Sequence, residues 1–413
     1  MTKPPMLTAQ QALDHLLSHA KPVEESESIP MQATLGRVLA ENVSSLVDVP
    51  PLDNTSMDGY AVRTADTQNS GSILRIAQRI PAGSVGIQLE PGTAARIFTG
   101  APIPPGADAV VMQEDCAVPE GVADQVQVNI APVSGQWIRR KGEDLSAGKM
   151  ALTAGTYLRP QELGVAASAG LTHLNVKRRV KVATFFTGDE LALPGEPLKP
   201  GGIYNSNRDT LLACLRSLGC DATDLGIVPD RLDATRAALR KASKDHDLII
   251  TSGGVSVGEE DHIKPAVNAE GRLDLWQIAI KPGKPLAFGA VRKSDEPKEG
   301  EAWFIGLPGN PVSSFVTFLL FVRPFILKLQ GREAKLPQSY LMRADFDWLK
   351  ADRRNEFLRV KINAVGGLDL FPNQSSGVLT SASWGDGLVD CPPGQPIKKG
   401  DMVKYIPFEA LLK

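Results

Sequence analysis

The segment DLIITSGGVSVGEED, residues 247–261, has the composition of an anion-binding loop. It predicts an apolar strand that ends at Ser252, followed by Gly253 and Gly254, whose missing side chains let a ligand approach the backbone amides. Such amides, followed by a helix N-terminus, attract anions, and the Ser252 hydroxyl adds a donor. A tight turn would also explain two glycines, but Asp261 and the basic segment that follows favour a binding site.

A carboxylate next to a bound phosphate repels it unless a divalent cation lies between them. Asp261 is therefore the reason to expect magnesium at this loop. Downstream, Lys281 and Lys284 flank Pro282 and Gly283, a turn that can direct both ammonium groups the same way. Two point charges suit phosphate or another oxyanion. A solvated basic loop is the alternative.

The segment GLPGNPVSS, residues 306–314, predicts another junction of strand, loop and helix. Pro308 and Pro311 fix φ and stiffen the loop. Asn310 and Ser313 can either cap the following helix or donate hydrogen bonds to a ligand, and the sequence leaves both roles open.

Acidic residues follow other predicted strands. Glu190 lies in TGDEL and Asp230 in LGIVPD, where a carboxylate either caps a helix or serves a site. Earlier in the chain, Asp58 and Asp144 lie in turns, and Thr99 lies between a strand and a loop. Taken singly, turn chemistry explains each of these aspartates, because Asp bonds readily to its own backbone.

The elements that must hold these segments alternate between strand and helix over residues 179–330. This alternation predicts a multi-domain α/β protein whose central domain is a doubly wound α/β/α structure with a parallel sheet. Ligands of such sheets bind beyond the carboxyl ends of the strands. We therefore expect the glycine-rich, basic and acidic segments to meet at one edge of the sheet.

A chain of 413 residues is too long for one ordinary core, so we expect two to four domains. Short β-type runs broken by Pro and Gly predict an inserted β-rich domain at residues 45–144. Helical patterns on both sides of it predict a helical linker domain made of residues 1–44 and 145–178. After the α/β domain, residues 331–413 return to β-type alternation and predict a C-terminal β-domain.

The chain carries 45 basic and 47 acidic residues, a net charge of −2, without long blocks of either sign. This argues against general binding of nucleic acid or of membranes. The most apolar run, Phe315–Val322, is much shorter than the roughly 20 residues of a membrane span, so we expect a buried helix. Four cysteines without a CxxC pair, five dispersed histidines and an N-terminus without a signal segment indicate a cytoplasmic protein without zinc or disulfides.

Seven strings follow one another from about residue 7 to the end of the chain: PPLDNTSMDGYAV, FTGAPIPPGADAVVMQED, RRKGED, TGDEL, TSGGVSVGEED, IAIKPGKP and GLPGNPVS. In this order they resemble the molybdopterin molybdenumtransferase family, the MoeA-like proteins related to the gephyrin E domain. The resemblance implies magnesium-dependent insertion of molybdate into adenylylated molybdopterin with release of AMP. It also implies a homodimer of four-domain chains with its active cleft between subunits, and handover of the substrate from the pterin adenylyltransferase.

The resemblance assigns roles to individual residues. It implicates six residues in catalysis or magnesium handling, and the expected metal ligands among them are Glu190 and Asp261. The six are Asp58, Thr99, Asp144, Glu190, Asp230 and Asp261. It implies contacts with molybdate or substrate phosphates for Lys281, Lys284, Ser313, Arg359 and Ser376, beside the loop residues Ser252, Gly253, Gly254, Pro308, Asn310 and Pro311. Relatives often have a basic residue after Trp276, whereas this chain has Gln277. If that charge holds substrate, binding here is weaker or differently arranged.

Two other functions remain open. A pterin adenylyltransferase shares the TSGG loop, but it leaves the DGYA and GAPIPPGAD strings unexplained. A scaffold that binds partner proteins without turnover would have no need of the acidic positions. The chain contains neither GxxxxGK[ST] nor GxGxxG, which disfavours kinase and dehydrogenase functions.

Overall fold

The structure is a computed structural model that describes residues 6–255, 262–294, 296, 300–334 and 337–412. Asp261 lies outside the described residues. The chain divides into two compact units. The smaller is Ser28–Val176, and the larger joins Met1–Glu27 to Lys177–Lys413.

A six-stranded sheet forms the centre of the larger unit. In chain order its strands are β1 (Lys181–Thr187), β2 (Asp221–Val228), β3 (Leu248–Ser252), β4 (Gly271–Gln277), β5 (Pro285–Arg292) and β6 (Glu301–Leu307). Their order across the sheet is β2-β1-β3-β6-β5-β4. The adjacent strands β2, β1, β3 and β6 are parallel to one another, as predicted.

The other two strands differ from the predicted parallel sheet. β5 is antiparallel to both β6 and β4. The cause is the length of the connections, because only residues 278–284 join β4 to β5 and only residues 293–300 join β5 to β6. A parallel crossover needs a dozen or more residues. The sheet is therefore mixed.

The central strands are buried on both faces, which explains their continuous apolar sequences. In β1, Val182 and Phe186 belong to one core cluster, whereas Ala183 and Phe185 belong to another. Side chains alternate between the two faces of a strand, so the two clusters lie on opposite sides of the sheet. The helices Ser206–Ser217 and Pro311–Thr317 contribute to the first cluster, and Leu232–Asp245 and Ile263–Glu270 to the second.

The opening helix, Ala9–His19, packs into the first of these clusters through Leu13 and Leu16. A capping box fixes its start, since Thr8 Oγ1 accepts from the Gln11 amide and Gln11 Oε1 accepts from the Thr8 amide. The sequence prediction had placed this helix in a linker domain with residues 145–178. The structure differs because its leucine face meets apolar partners in the larger unit.

The helical segment Pro311–Leu329 is long and apolar enough to cross a membrane by length and composition alone. However, 94% of its apolar window is buried inside the protein. It continues through a π-helical turn at Phe318–Val322 into the helix Arg323–Leu329. It thus packs as a core helix of the larger unit.

A second sheet of the larger unit comes mainly from the C-terminal part of the chain. Its strands are Ile280–Lys281, Asn355–Ile362, Leu368–Leu370, Gly387–Cys391, Met402–Pro407 and Tyr340–Arg343. Ile280 pairs with Asn355 and Lys281 with Glu356, in parallel. The basic segment between β4 and β5 is thereby attached to the C-terminal sheet. The short helices here are Thr380–Trp384 and Phe408–Leu412, and the strands Leu191–Ala192 and Ile203–Tyr204 form a separate pair.

The smaller unit is rich in strands. Its six-stranded sheet has the order Ala109–Met112, Gly59–Val62, Thr93–Ile97, Ser72–Ile80, Gln125–Val128, Cys116–Ala117. Two-stranded pairs join Val43–Ser44 to Met150–Leu152, Asn54–Thr55 to Ile138–Arg139, and Ser26–Pro30 to His173–Lys177. Strands thus accompany the helix Pro160–Ser168 in the segment predicted as a helical linker. Three short 3₁₀ helices complete the unit: Met31–Ala33, Thr64–Asp66 and Gln113–Asp115.

An ion pair fastens the start of the central sheet. Arg178 donates through Nη1 and Nη2 to Asp247, at 2.7 and 2.9 Å, and the Lys181 amide donates to the same carboxylate. Burial of Asp247 opposes its charge, but these donors outweigh the burial and hold its pKa below the ordinary value. The ion pair therefore stabilises the fold wherever Asp247 is ionised.

We predict that Asp247→Asn lowers the free energy of unfolding by about 3 kcal/mol at pH 7, because the partly buried Arg178 guanidinium then keeps only the exposed Glu25 carboxylate as a counter-charge. The lowered pKa makes this contribution complete above the unfolded pKa of about 3.9, and it is lost as the pH falls through the folded pKa. Urea unfolding at several pH values measures it. The exposed Asp245→Asn is the control. Equal stability of the two variants at pH 7 would contradict the prediction.

Candidate active site

A cavity of about 760 Å³ lies in the larger unit, at the carboxyl ends of β1, β3 and β6. Loops that directly follow these three strands supply much of its wall, as expected of ligand sites in doubly wound sheets. The lining residues are Thr187, Gly188, Glu190, Asp230, Gly253, Gly254, Val255, Lys281, Pro282, Gly283, Lys284, Pro285, Pro308, Gly309, Asn310, Ser313, Arg354, Gln374, Ser375 and Ser376.

The glycine-rich loop after β3 lines the cavity through Gly253 and Gly254, as the sequence predicted. Gly253 has φ of +96°, and a Cβ there would lie 2.8 Å from the Thr187 carbonyl oxygen. Only glycine meets both conditions without strain. Ser252 is different, because it is 3% exposed and is not part of the cavity wall. Its hydroxyl donates to the Pro308 carbonyl at 2.8 Å, so it serves the protein itself.

Lys281 and Lys284 both line the cavity. The turn between them requires Gly283, which has φ of +106° and whose absent side chain leaves room for Thr317. Lys284 is exposed, whereas Lys281 Nζ lies 2.9 Å from a carboxylate oxygen of Glu356. The two predicted cations therefore differ, since one is held by a counter-charge.

Glu356 belongs to a small network of charges beside the cavity. It is 2% exposed, and its second oxygen accepts from Trp348 Nε1 at 2.9 Å. Asp352 lies 3.5 Å from Lys281 Nζ and accepts two hydrogen bonds from the Arg354 guanidinium, at 3.0 and 3.1 Å. The Arg354 guanidinium holds the pKa of Asp352 far below its usual value. Both carboxylates therefore orient cations that line the cavity.

Two carboxylates line the cavity directly, Glu190 and Asp230. The Asp230 amide lies 3.5 Å from Asp189 Oδ1, which joins their two loops. Within the described ranges, no group of three or more His, Cys, Asp or Glu side chains could hold a metal by itself. Magnesium, however, commonly takes only one or two carboxylates and completes its shell with water and substrate phosphates. Glu190 and Asp230 fit that donor set.

The loop after β6 contributes Pro308, Asn310 and Ser313. Asn310 precedes the helix Pro311–Thr317 but makes no capping hydrogen bond with its side chain. The capping role that the sequence left open is therefore not realised in this structure. Pro311 is in the first turn of the helix and is not part of the cavity wall.

The C-terminal part of the chain contributes Ser376, together with Gln374 and Ser375. Arg359, which the sequence favoured as a ligand contact, does not line the cavity and is 1% exposed. It donates through Nε to Ser381 Oγ at 3.0 Å and through Nη2 to the Ser375 carbonyl at 3.1 Å. Burial lowers its pKa to about 10. Arg359 thus supports the loop that reaches the cavity.

Arg354 is the lining cation that the sequence analysis missed. It immediately precedes the strand Asn355–Ile362, whereas Arg359 lies within it between the buried residues Leu358 and Val360. Its position just before the strand, next to a loop, could have identified Arg354 as the cavity-lining arginine in the string RRNEFLRV. Thr187 was missed as well, and its buried hydroxyl finds no hydrogen-bond partner among the described residues.

Asp58, Thr99 and Asp144 lie in the smaller unit. The Thr99 amide and hydroxyl both donate to Asp58 Oδ1, each at 2.7 Å. These two hydrogen bonds lower the pKa of Asp58, and Arg96 adds a smaller effect. Asp144 is exposed, and its amide donates to the Val49 carbonyl.

Three family descriptions match the chain. The MoeA N-terminal region (domain I and II) matches residues 7–170, and the MoeA C-terminal region (domain IV) matches residues 342–408. Between them, residues 183–328 match a probable molybdopterin binding domain. The cavity lies mostly within this middle segment, and Arg354 and Ser376 come from the C-terminal one.

Curated relatives cover most of the chain. The molybdopterin molybdenumtransferase of Haemophilus influenzae is 41% identical over 86% of this chain and 85% of its own length. The protein of the same name from Nostoc sp. is 35% identical, over 90% and 86%. The solved molybdopterin biosynthesis MoeA protein of Pyrococcus horikoshii OT3 has a TM-score of 0.83 and 28% identity, over 98% of this chain and all of that one. The chain therefore belongs to the molybdopterin molybdenumtransferase family and is an enzyme of molybdenum cofactor biosynthesis.

Proposed function

We propose that the chain inserts molybdate into adenylylated molybdopterin in a magnesium-dependent step that releases AMP. The supporting observation is one cavity that combines three cations, the glycine-rich loop after β3 and two carboxylates. Molybdate and a phosphoanhydride together bring several negative oxygens into such a site. The purified protein should release AMP only when molybdate is present. It should not consume ATP, whereas a pterin adenylyltransferase would.

The balance of charges supports the requirement for magnesium. The cavity is lined by three cations, Lys281, Lys284 and Arg354, and by two carboxylates, Glu190 and Asp230. Two further carboxylates pair with these cations, Glu356 with Lys281 and Asp352 with Arg354. Three positive groups against four negative ones leave no excess positive charge for the substrate. Glu190 and Asp230 would hold magnesium, with Asp261 proposed from the sequence as a further ligand. When bound, the ion neutralises phosphate charge and polarises the phosphoanhydride.

The cations differ in what they offer an oxyanion. Lys284 is exposed and presents a mobile point charge, whereas Arg354 is held by Asp352 and presents a planar pair of donors. The amide of Gly254 adds a fixed dipole, whereas that of Gly253 already donates to the Leu307 carbonyl. Because AMP gains a negative oxygen on release, donors that are already oriented stabilise that charge without reorganisation.

Membership of the family supports further proposals. Asp58, Thr99 and Asp144 would complete the active site in a homodimer whose cleft lies between subunits. The protein would work in the cytoplasm and receive adenylylated molybdopterin from the adenylyltransferase. Four domains per chain are proposed with the boundaries given by the sequence, except that the opening helix Ala9–His19 belongs to the larger unit. Ser252, Pro311 and Arg359 would act by shaping the loops that contact the substrate.

We predict that Arg354→Gln lowers the rate of molybdate-dependent AMP release by about 100- to 1,000-fold, the usual effect of losing one preorganised donor. Arg353→Gln, which changes the exposed neighbouring arginine, should retain the wild-type rate. Quantification of AMP by chromatography measures both variants. Equal rates for the two variants would exclude a role of Arg354 in binding the oxyanions.

Removal of magnesium with EDTA should abolish AMP release, and added magnesium should restore it. We expect Glu190→Gln to require at least about tenfold more magnesium for half-maximal rate, because the neutral amide is a weaker ligand than the carboxylate. Asp233→Asn, an exposed change in a surface ion pair, is the control. An unchanged magnesium requirement in Glu190→Gln would show that this carboxylate does not hold the ion.

Asp58→Asn should reduce AMP release by at least about 100-fold while leaving the unfolding midpoint within the range of the wild type. The Asp58 carboxylate is exposed, and the hydrogen bonds that hold it come from Thr99. Replacing the carboxylate therefore leaves the core intact. Glu114→Gln in the same unit is the control. Wild-type turnover of Asp58→Asn would refute its proposed role. Asp261→Ala, tested in parallel, addresses the residue outside the described ranges.

A further inference from the structure

Asn207 connects the two loops that form the floor of the cavity. Its Nδ2 donates to Ser252 Oγ at 2.8 Å and to the Gly309 carbonyl at 2.7 Å. Ser252 Oγ in turn donates to the Pro308 carbonyl at 2.8 Å. Ser314 Oγ lies 3.4 Å from Ser252 Oγ. The Asn207 amide and the Ser252 hydroxyl together tie the end of β3 to the loop after β6.

The helix that carries Asn207 does not need this side chain for its own stability. Asn205 caps the helix Ser206–Ser217, since its Oδ1 accepts from the Arg208 amide at 3.1 Å. Asn207 sits one residue into the helix and directs its amide away from the helix to the two loops. The sequence string SNRDTLL indicates only a helix start, so the pattern gives no hint of this second role.

Besides the bond from the Ser252 hydroxyl to the Pro308 carbonyl, few contacts among the described residues hold the two glycine-containing loops in register. Gly253 and Gly309 approach each other closely, because a Cβ at Gly309 would lie 3.7 Å from the Gly253 Cα. One backbone hydrogen bond, from the Gly253 amide to the Leu307 carbonyl at 3.1 Å, joins them directly. Glycine leaves the backbone open to a ligand but also flexible. A hydrogen-bonded brace from a neighbouring helix restores the rigidity.

We propose that Asn207 is a positioning residue that fixes the spacing of the two loops around a phosphate-bearing ligand. This inference rests on the proposed function, since those loops are the proposed phosphate contacts. Asn207 acts through Ser252 and Gly309. A shift of the loop amides by a fraction of an ångström weakens every bond that they make to the same phosphate.

The test replaces the amide by an isosteric carboxylate. In Asn207→Asp the donor is lost, and carboxylate oxygens face the Gly309 carbonyl. We expect the Kd for AMP, measured by calorimetry on the full chain, to rise about tenfold. The KM for adenylylated molybdopterin should rise to the same extent while kcat stays within about threefold, because the loops hold phosphate before and during the reaction. Asp209→Asn, an exposed change in the first turn of the same helix, should leave both values unchanged.

A second variant guards against a general loss of folding. Asn207→Ala removes both hydrogen bonds without adding a charge, so its AMP affinity should lie between those of the wild type and Asn207→Asp. Combining Asn207→Asp with Ser252→Ala should cost less than the sum of the single effects, since both remove the same brace. Amide hydrogen exchange of residues 253–255 should accelerate in Asn207→Asp and not in Asp209→Asn.

The outcomes separate the two proposals. If the wild type fails to bind AMP with magnesium present, the proposed function fails. If the wild type binds AMP and both Asn207 variants bind it equally well with unchanged KM, Asn207 does not position the loops. Lower affinity with unaltered hydrogen exchange at 253–255 would also overturn the inference, because the effect would then not pass through the loop.

Discussion

Oxyanions can be held at the strand ends only if backbone amides are reachable and the surrounding charges are balanced, and both conditions govern the larger unit. The backbone is reachable because Gly253 and Gly283 have no side chains and occupy conformations that other residues adopt only with strain. The charges are balanced because each of the cations Lys281 and Arg354 has a carboxylate behind it. A site with paired charges of this kind does not make the whole protein basic, which agrees with the net charge of −2.

Much of this arrangement could be predicted from the sequence, because it depends on local rules. Apolar strands followed by glycine or proline loops indicated the carboxyl edge of a doubly wound sheet, and the segments around Gly253, Lys281 and Asn310 do line one cavity there. The ordered motifs also identified the family, which the relatives confirm.

The remainder depends on contacts between residues distant in sequence. The sequence suggested that the Ser252 hydroxyl donates to a ligand. It instead donates to the Pro308 carbonyl, 56 residues further along the chain. Arg359 and Arg354 are in one string, and only the burial of the strand distinguishes them. The antiparallel edge of the central sheet followed from short connections that the alternating pattern did not reveal. Pairings of this kind need the folded chain.

The two-residue strand Ile280–Lys281 has a consequence for how the protein can be divided. Although it lies between β4 and β5, it pairs with the C-terminal sheet, and the Val312 amide likewise donates to the Ser376 carbonyl. One wall of the cavity is therefore shared by two regions far apart in the gene. A chain ending before residue 340 would retain every glycine-rich loop, yet it would lack Arg354 and both carboxylates that restrain Lys281. The middle segment alone is thus an incomplete binding module.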